Sequence, residues 1–381
     1  MSMQSMIHER TGQFFRQFYS DATCQLILGD IERVLKSGRL MLGPFNERLE
    51  TLVADYHGQS FAASVNSCTT ALTITLRHFD VAEAEVLVPA ANFISAVTAV
   101  IDAGGTPVLV DVIPETLSFD VADLQRKRTN KTRCVVWPHL LGVISPHWRN
   151  IVDFCSQHEL PLIEDCAQAH GAEQEGRKAG SFGDASCLSF YSTKIVSCGN
   201  GGMVVTSDRE LDARTRRLRL FGRDPQGGSI TENGNDWFLD EFRAIVAYHH
   251  FLQVEESLAM RRRIAGWYHQ YLANQPGISF LSTGPESSPA YYQFAVLLDE
   301  HLNRNAVATS LKDEFQVAAQ GFYTPIHREP TLRHLDTGDL GGAESLMSRI
   351  LCLPLHHELT EDDVAHVCQS LDEVIRRRCH P

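Results

Sequence analysis

The sequence predicts an α/β fold: a large domain over 1–255 built on a mostly parallel, seven-stranded sheet, then a smaller C-terminal α+β domain over 256–381. Three observations carry this. Seven short apolar runs recur through the first half, and most are continuous rather than alternating, the pattern of strands buried on both faces. Helix-like segments separate most of them, which calls for parallel strands joined by right-handed crossovers. From about 208 the pattern turns long and helical, and a strand-like run with further helices follows.

The elements follow in chain order. Strands are expected at FAASVNS (61–67), EVLVPA (85–90), PVLVDV (107–112), CVVWPH (134–139), PLIEDC (161–166), ASCLSFY (185–191) and GGMVVTS (201–207). Helices are expected at 69–79, 92–103, 120–128 and 147–158. The link from 191 to 201 is too short for a crossover helix, so the last strand is expected antiparallel. A helical stretch over 208–275 leads to a strand at YYQFAVLLD (291–299), a helix at 303–315, and a final helix after LTEDD. Thr360, with acidic residues behind it, is its expected N-cap.

Composition narrows the function. With 381 residues and 43% hydrophobic content the chain can bury a large core. A formal net charge of −13 argues against nucleic acid or an anionic membrane as main partner, so any phosphate needs a local site working against the overall field. The ten cysteines show no CxxC pair and no zinc spacing, which reads as reduced thiols in the cytoplasm and no metal centre. The segment MSMQSMIHERTGQFFRQFYSD lacks a signal-peptide core, and no apolar run is long enough to span a membrane.

Chemistry in such a sheet collects at the carboxyl ends of the strands. After the first run, NSCTTA opens a helix, where hydroxyls and free N–H groups make an anion site. AANF presents Phe93, EDCAQAHG presents Asp165, Gln168 and His170, and SFYSTKIVSCGNGG presents Ser189, Ser192 and Lys194. Each has a plainer reading: a helix cap for NSCTTA and for Asp165, a core ring for Phe93, a surface turn for Lys194. Together they are the parts that pyridoxal phosphate (PLP) requires. Its phosphate wants a helix N-terminus, its ring a face to stack on, its pyridine nitrogen a carboxylate, and its aldehyde a lysine.

With those parts in place, the chain resembles the fold-type I PLP-dependent aminotransferases that make amino sugars, the DegT/DnrJ/EryC1/StrS family, from about 27 to 375. The stretches that carry the resemblance include VLKSGRLMLGPFNERLE, VLVPAANFISAVTAVIDAGGTPVLVDVIPETLSFD, LPLIEDCAQAHGA, GSFGDASCLSFYSTKIVSCGNGGMVVTSD, FYTPIHREP and LCLPLHHELTEDDVAHV. The resemblance implies that Lys194 carries the cofactor and shuttles the proton, and that Asp165 pairs with the pyridine nitrogen. It implies Gln168 near the phenolic oxygen, Phe93 stacked on the ring, Thr69, Thr70 and Ser189 on the phosphate, and His327 as a substrate contact. It further implies a homodimer with shared active sites, completed through GNDWFLDE (234–241).

Several positions depart from the family pattern. Cys68 replaces a glycine, Asn200 an acidic residue, and Leu220 and Phe221 an Asn-His pair, while Phe238 replaces an arginine. Asp236 falls where an asparagine is expected against the partner's phosphate. Either Asn235 donates in its place, or Asp236 turns away to Arg219 or Arg223. The expected reaction moves an amino group, with L-glutamate as donor and 2-oxoglutarate as product, to a keto group of a nucleotide-linked sugar. The alternatives are a cyclitol or other non-nucleotide ketone, a same-fold sugar dehydratase, and a PLP-binding regulatory protein without turnover. Lys194 argues against the dehydratase, whose relatives carry histidine there.

Overall fold

The computed structural model describes residues 3–224, 228–335 and 338–379. The outer ends of the two expected domains, 1–2 and 380–381, lie outside the described residues. Seven strands form the main sheet: β1 (Phe61–Val65), β2 (Glu85–Pro89), β3 (Thr106–Val110), β4 (Thr132–Pro138), β5 (Leu162–Asp165), β6 (Ala185–Ser189) and β7 (Gly202–Thr206). Their spatial order is β1-β7-β6-β5-β4-β2-β3. All are parallel except β7, which runs against both β1 and β6, as the short 191–201 link requires.

The continuous apolar runs have a direct cause: both faces of the sheet are covered. On one face Val86, Val88 and Val204 pack with Leu72, Val97 and Leu211 of the helices Cys68–His78, Ser95–Asp102 and Arg209–Leu218. On the other, Leu87, Met203 and Val205 pack with Leu49, Ile151 and Ile245 of the helices Pro44–His57, Trp148–Gln157 and Glu241–Phe251. Fold-type I architecture follows from this two-sided sheet and the order of its strands.

Three helices before β1, Met3–Thr11, Asp21–Ser37 and Pro44–His57, were not anticipated, although the sequence carries the punctuation of the second. Ser20 caps that helix by accepting the Thr23 N–H, and Gly38 ends it at φ +71°. The helical stretch expected over 208–275 is broken: Arg209–Leu218 stops, an irregular segment follows, and helices resume at Glu241–Phe251 and Val254–Tyr271. The break sits at Phe221 and Gly222, both with positive φ, +58° and +75°. A Cβ on Gly222 would lie 1.8 Å from the Glu232 carbonyl oxygen, so only glycine allows the chain to fold back there.

The C-terminal part has a three-stranded antiparallel sheet, β8 (Ile278–Phe280), β9 (Phe294–Leu298) and β10 (Ile350–Leu353), in the order β8-β9-β10. β9 begins three residues later than expected because Tyr291 adopts φ +47°. One face of β9 packs Phe294, Val296 and Leu298 with Tyr268, Leu311 and Leu371 from three helices. Its other face places Ala295 and Leu297 in the core of the main sheet.

The last helix, Glu361–Cys379, opens with a reciprocal cap. Thr360 N–H donates to Asp363 Oδ2 at 2.8 Å, and Asp363 N–H donates to Thr360 Oγ1 at 3.3 Å. The same carboxylate takes two bonds, 2.7 and 2.8 Å, from the Arg10 guanidinium on the helix Met3–Thr11. The N-terminal helix is thereby tied to the C-terminal one. Asp363→Ala removes the cap partner and leaves Arg10 half-buried and unpaired, so it is expected to lower unfolding stability by about 2–4 kcal/mol in urea titrations. Thr360→Ala, which removes only the cap, is expected to cost about 1 kcal/mol.

Candidate active site

The carboxyl ends of β1, β5 and β6 and the start of β7 meet at one rim of the sheet. The register makes this explicit: Val65 and Ser189 both pair with Gly202, and Cys187 pairs with Asp165. Above that rim lies a cleft of about 460 Å³ whose lining includes Ser67, Cys68, Thr69, Phe93, Ser189 and Lys194.

The floor is the first turn of the helix Cys68–His78. Ser67 caps it, accepting the Thr70 N–H at 3.1 Å. That leaves the Cys68 and Thr69 N–H groups without a protein acceptor among the described residues, so the turn offers free donors and the positive end of the helix dipole. Gly202 makes the arrangement possible. A Cβ there would lie 2.2 Å from the Ser67 carbonyl carbon and 2.4 Å from the Cys68 nitrogen. Thr69 and Ser189 bring hydroxyls to the same floor. Thr70 does not line the cleft: its hydroxyl is held by Asn66 Oδ1 at 2.7 Å and Ser67 Oγ at 3.0 Å.

Asp165 is the last residue of β5 and is buried. Its Oδ1 accepts the Ala167 N–H at 3.0 Å and faces the Cys68 thiol at 3.8 Å. The cap reading therefore holds for one oxygen, while Oδ2 has no protein donor among the described residues. Burial pushes this carboxyl above the ordinary carboxylate range, with the Ala167 N–H and the charge of Lys194 pulling the other way. A buried carboxylate with one oxygen uncommitted needs a cation to meet it.

Lys194 follows β6 in a turn closed by its own N–H to the Tyr191 carbonyl at 2.9 Å. It is only 9% exposed, which removes the surface-turn reading. Phe93 is 48% exposed and stands in the cleft, so it is not a core ring either; its nearest aromatic neighbour is Tyr323 at 5.2 Å. Gln168 is fixed between the Leu141 N–H (2.7 Å) and the Tyr323 hydroxyl (3.1 Å) beside the cleft.

Two expected residues lie elsewhere. His327 does not line the cleft. Its turn is tied to Ala90 by a 3.0 Å backbone bond from Ile326, and its Nε2 faces Glu344 at 3.0 Å. Asn235 is exposed on the outer surface, and its Oδ1 accepts the Asp236 N–H at 2.9 Å. Arg219 cannot serve Asp236, because it is buried and bonded to Glu50 at 2.6 Å.

The structure adds residues that the sequence did not single out. Phe14 and Phe15, from a strap joining the helices Met3–Thr11 and Asp21–Ser37, line the cleft. Gln17 of this strap donates to the carbonyls of Ser192 and Lys194 at 2.7 and 2.8 Å, bracing the lysine turn. Tyr292 and Tyr323 enter from the C-terminal part. The available signals were the aromatic run GQFFRQFYS, in a segment without helical periodicity, and the tyrosine pair that opens YYQFAVLLD.

The residues present fit PLP. A buried lysine, an exposed aromatic face and a helix terminus with free N–H groups line one cleft; Asp165, with one oxygen uncommitted, does not line it but lies behind Cys68 and Ala167, and Gly202 keeps the floor clear. Nothing in the donor set suits a metal. His139, Glu164 and Cys166 cluster in the core, but Glu164 already accepts from Gly180, Phe182 and Gly183 and lies 2.7 Å from His139 Nε2. Burial holds the Cys166 thiol well above its ordinary range.

A sequence model of the DegT/DnrJ/EryC1/StrS aminotransferase family matches residues 23–372. A UDP-N-acetyl-3-dehydro-alpha-D-glucosamine 3-aminotransferase of Acidithiobacillus ferrooxidans is 34% identical over 93% of this chain and 94% of its own. An L-glutamine:2-deoxy-scyllo-inosose aminotransferase of Streptoalloteichus tenebrarius is 33% identical over 79% of this chain and 76% of its own. The crystal structure of the aminotransferase TlmJ from Streptoalloteichus hindustanus superposes with a TM-score of 0.88 at 29% identity, covering 96% of this chain and 99% of that one.

His170, next to the cleft, generates a pH prediction. It is fully buried, both ring nitrogens lack a partner, and its ring lies 5.7 Å from that of Phe190. Burial pushes its imidazole down to about 3, and neighbouring His57, Lys194 and His250 act in the same direction. A histidine depressed in the folded state stabilises fully above its unfolded pKa, near 6.5, and loses that contribution as pH falls towards 3. His170→Phe keeps a ring and removes the proton site, so acid unfolding followed by circular dichroism should move to lower pH. An unchanged midpoint would mean that His170 has a polar partner.

Proposed function

The chain belongs to the DegT/DnrJ/EryC1/StrS aminotransferase family, and from that premise we propose that it transfers an amino group from L-glutamate to a keto group of a nucleotide-linked sugar. It is a PLP-dependent aminotransferase of fold type I; acceptor, donor and residue roles are the proposal. The observation that carries it is a cleft lined by Lys194 and by the free N–H groups of the Cys68–His78 helix, with the buried Asp165 directly behind it, against the lining residues Cys68 and Ala167. When bound, PLP supplies a carbonyl carbon for the incoming amine and a protonated ring that stores the electron pair released at the substrate carbon.

The residues divide the remaining work. The Cys68 and Thr69 N–H groups, with the Thr69 and Ser189 hydroxyls, hold the phosphate in a protein whose net charge would otherwise repel it. Asp165, through Oδ2, would hold the ring nitrogen protonated. Gln168 would support the phenolic oxygen and Phe93 would cover the ring face. Lys194 would hold the cofactor and move the proton at the substrate carbon through Nζ. Phe14, Phe15, Phe322 and Tyr323 form an apolar wall on which a nucleobase can stack.

The same lining favours a second reading. Lys194 is its only cation among the described residues, so this chain alone offers a diphosphate no counter-charge in the cleft. A neutral cyclitol ketone needs none. The two readings separate in one experiment: the pyridoxamine form, made with L-glutamate, is mixed with a panel of keto-sugar nucleotides and with inosose-type ketones. Return of the PLP absorbance with a nucleotide alone supports the first reading, and return with the free cyclitol alone supports the second. Lys194→Ala should fold, retain bound pyridoxamine phosphate and lose at least about a hundredfold in turnover; near-normal turnover would overturn the assignment.

A homodimer with shared sites belongs to the same proposal. Asn235, Asp236 and Phe221 are exposed and adjacent, with the Phe221 N–H donating to the Asn235 carbonyl at 3.0 Å, so this loop presents a ring and an amide outward. An active protein that sediments as a monomer would remove this part. Among the described residues no helix is long and apolar enough to cross a membrane, and the nine described cysteines are free, in keeping with a reducing cytoplasm. We divide the chain at 255/256, where the helix Val254–Tyr271 begins.

A further inference from the structure

Lys194 poses a question that the proposed chemistry leaves open. Its side chain is mostly buried where it lines the cleft, yet among the described residues no carboxylate or hydrogen-bond acceptor lies within bonding distance of Nζ. Its close side-chain contact is the face of Tyr292, whose ring centroid is 4.6 Å from Nζ. That is cation–π geometry.

Tyr292 is unusually well held. Its N–H donates to the Leu141 carbonyl at 2.9 Å, and its hydroxyl lies 2.9 Å from Thr193 Oγ1, next to the lysine itself. Buried Arg261 donates to the carbonyls of Tyr291 and Tyr292 at 3.1 and 3.3 Å. Tyr291 sits at φ +47°, a conformation that a bulky residue keeps only where its surroundings enforce it. The ring is therefore fixed at its backbone and at its tip, and the face between them is turned to Lys194.

We propose that Tyr292 is a positioning residue for Lys194, its ring face holding the protonated side chain in place without an ion pair. The proposal rests on the catalytic reading of Lys194 given above. A carboxylate partner would bind the ammonium firmly and draw it away from the reacting carbon. A π face is a weaker and non-directional partner, which keeps the amine beside the substrate and releases it when it is needed. The charged and titratable groups around Lys194 are Asp165 at the end of β5, the Cys68 thiol at the helix start, His170, and Tyr292 itself. Tyr292 sets its ring against Nζ at 4.6 Å, so its removal should register there.

The test reads Lys194 in the cofactor-free protein. Competitive trace labelling with acetic anhydride across pH, quantified by mass spectrometry, gives the titration midpoint of this one amine. Tyr292→Leu and Tyr292→Met remove the π face, and each should lower the midpoint by about half a pH unit, the size of a cation–π contact that water still reaches. Tyr292→Phe keeps the face and should leave the midpoint in place, although the bond to Thr193 is lost. Unchanged midpoints in the Leu and Met variants, or a shift in Phe as large as theirs, would overturn the proposal. No turnover is measured, so this result is independent of the Lys194→Ala assay, which tests the enzymatic reading.

Discussion

At Gly202 the start of β7 comes so close to the first turn of the Cys68–His78 helix that even a methyl group would overlap the Ser67 backbone. Everything in the cleft depends on that approach. It brings Ser189, the register partner of Gly202, against the helix N-terminus. It also sets the distance between that terminus and Asp165, two strands away. The one antiparallel strand in the sheet is what delivers a glycine to this point. A crossover helix between β6 and β7 would have placed the other end of β7 at the rim, and with it Thr206.

The site handles charge with dipoles and burial rather than with cations. A protein of net charge −13 must hold a phosphate, and its floor offers uncommitted N–H groups and hydroxyls. Asp165 is tuned in the opposite sense. Burial makes its charge costly in the absence of a cation, and the Ala167 N–H and Lys194 offset only part of that cost. Lys194 lies between these extremes, with an aromatic face in place of a counter-ion.

Much of this was legible in the sequence, for identifiable reasons. A strand covered on both faces must be apolar throughout, and all seven runs lie within two residues of their expected ends. Lys194 and Asp165 were legible because a charge at the tip of such a strand has few structural excuses. What was not legible depends on partners far away in sequence. Thr70 is the local exception: Asn66, four residues earlier in NSCTTA itself, takes its hydroxyl, a competition that the residue types alone leave open. His327 looked like a substrate contact because Glu344, which it faces, arrives on another helix. Phe14, Gln17 and Tyr292 reach the cleft through the strap and the C-terminal sheet, whose docking no local pattern reports. The break at Phe221 and Gly222 was missed although the glycines, the proline and the Asn-Gly of FGRDPQGGSITENGND mark it as a turn region.

The clamp between Arg10 and Asp363 joins positions 353 residues apart, and between the helix it anchors and the next runs the strap that braces the lysine turn. During synthesis the strap leaves the ribosome well before the helix Glu361–Cys379 that holds its anchor. The main sheet can collapse from sequentially neighbouring strands while translation proceeds, and the strap can then reach the lysine turn, but the helix before it has no partner for Arg10 until Asp363 is free. The bracing of the cleft is thus made firm only when segments 353 residues apart have met.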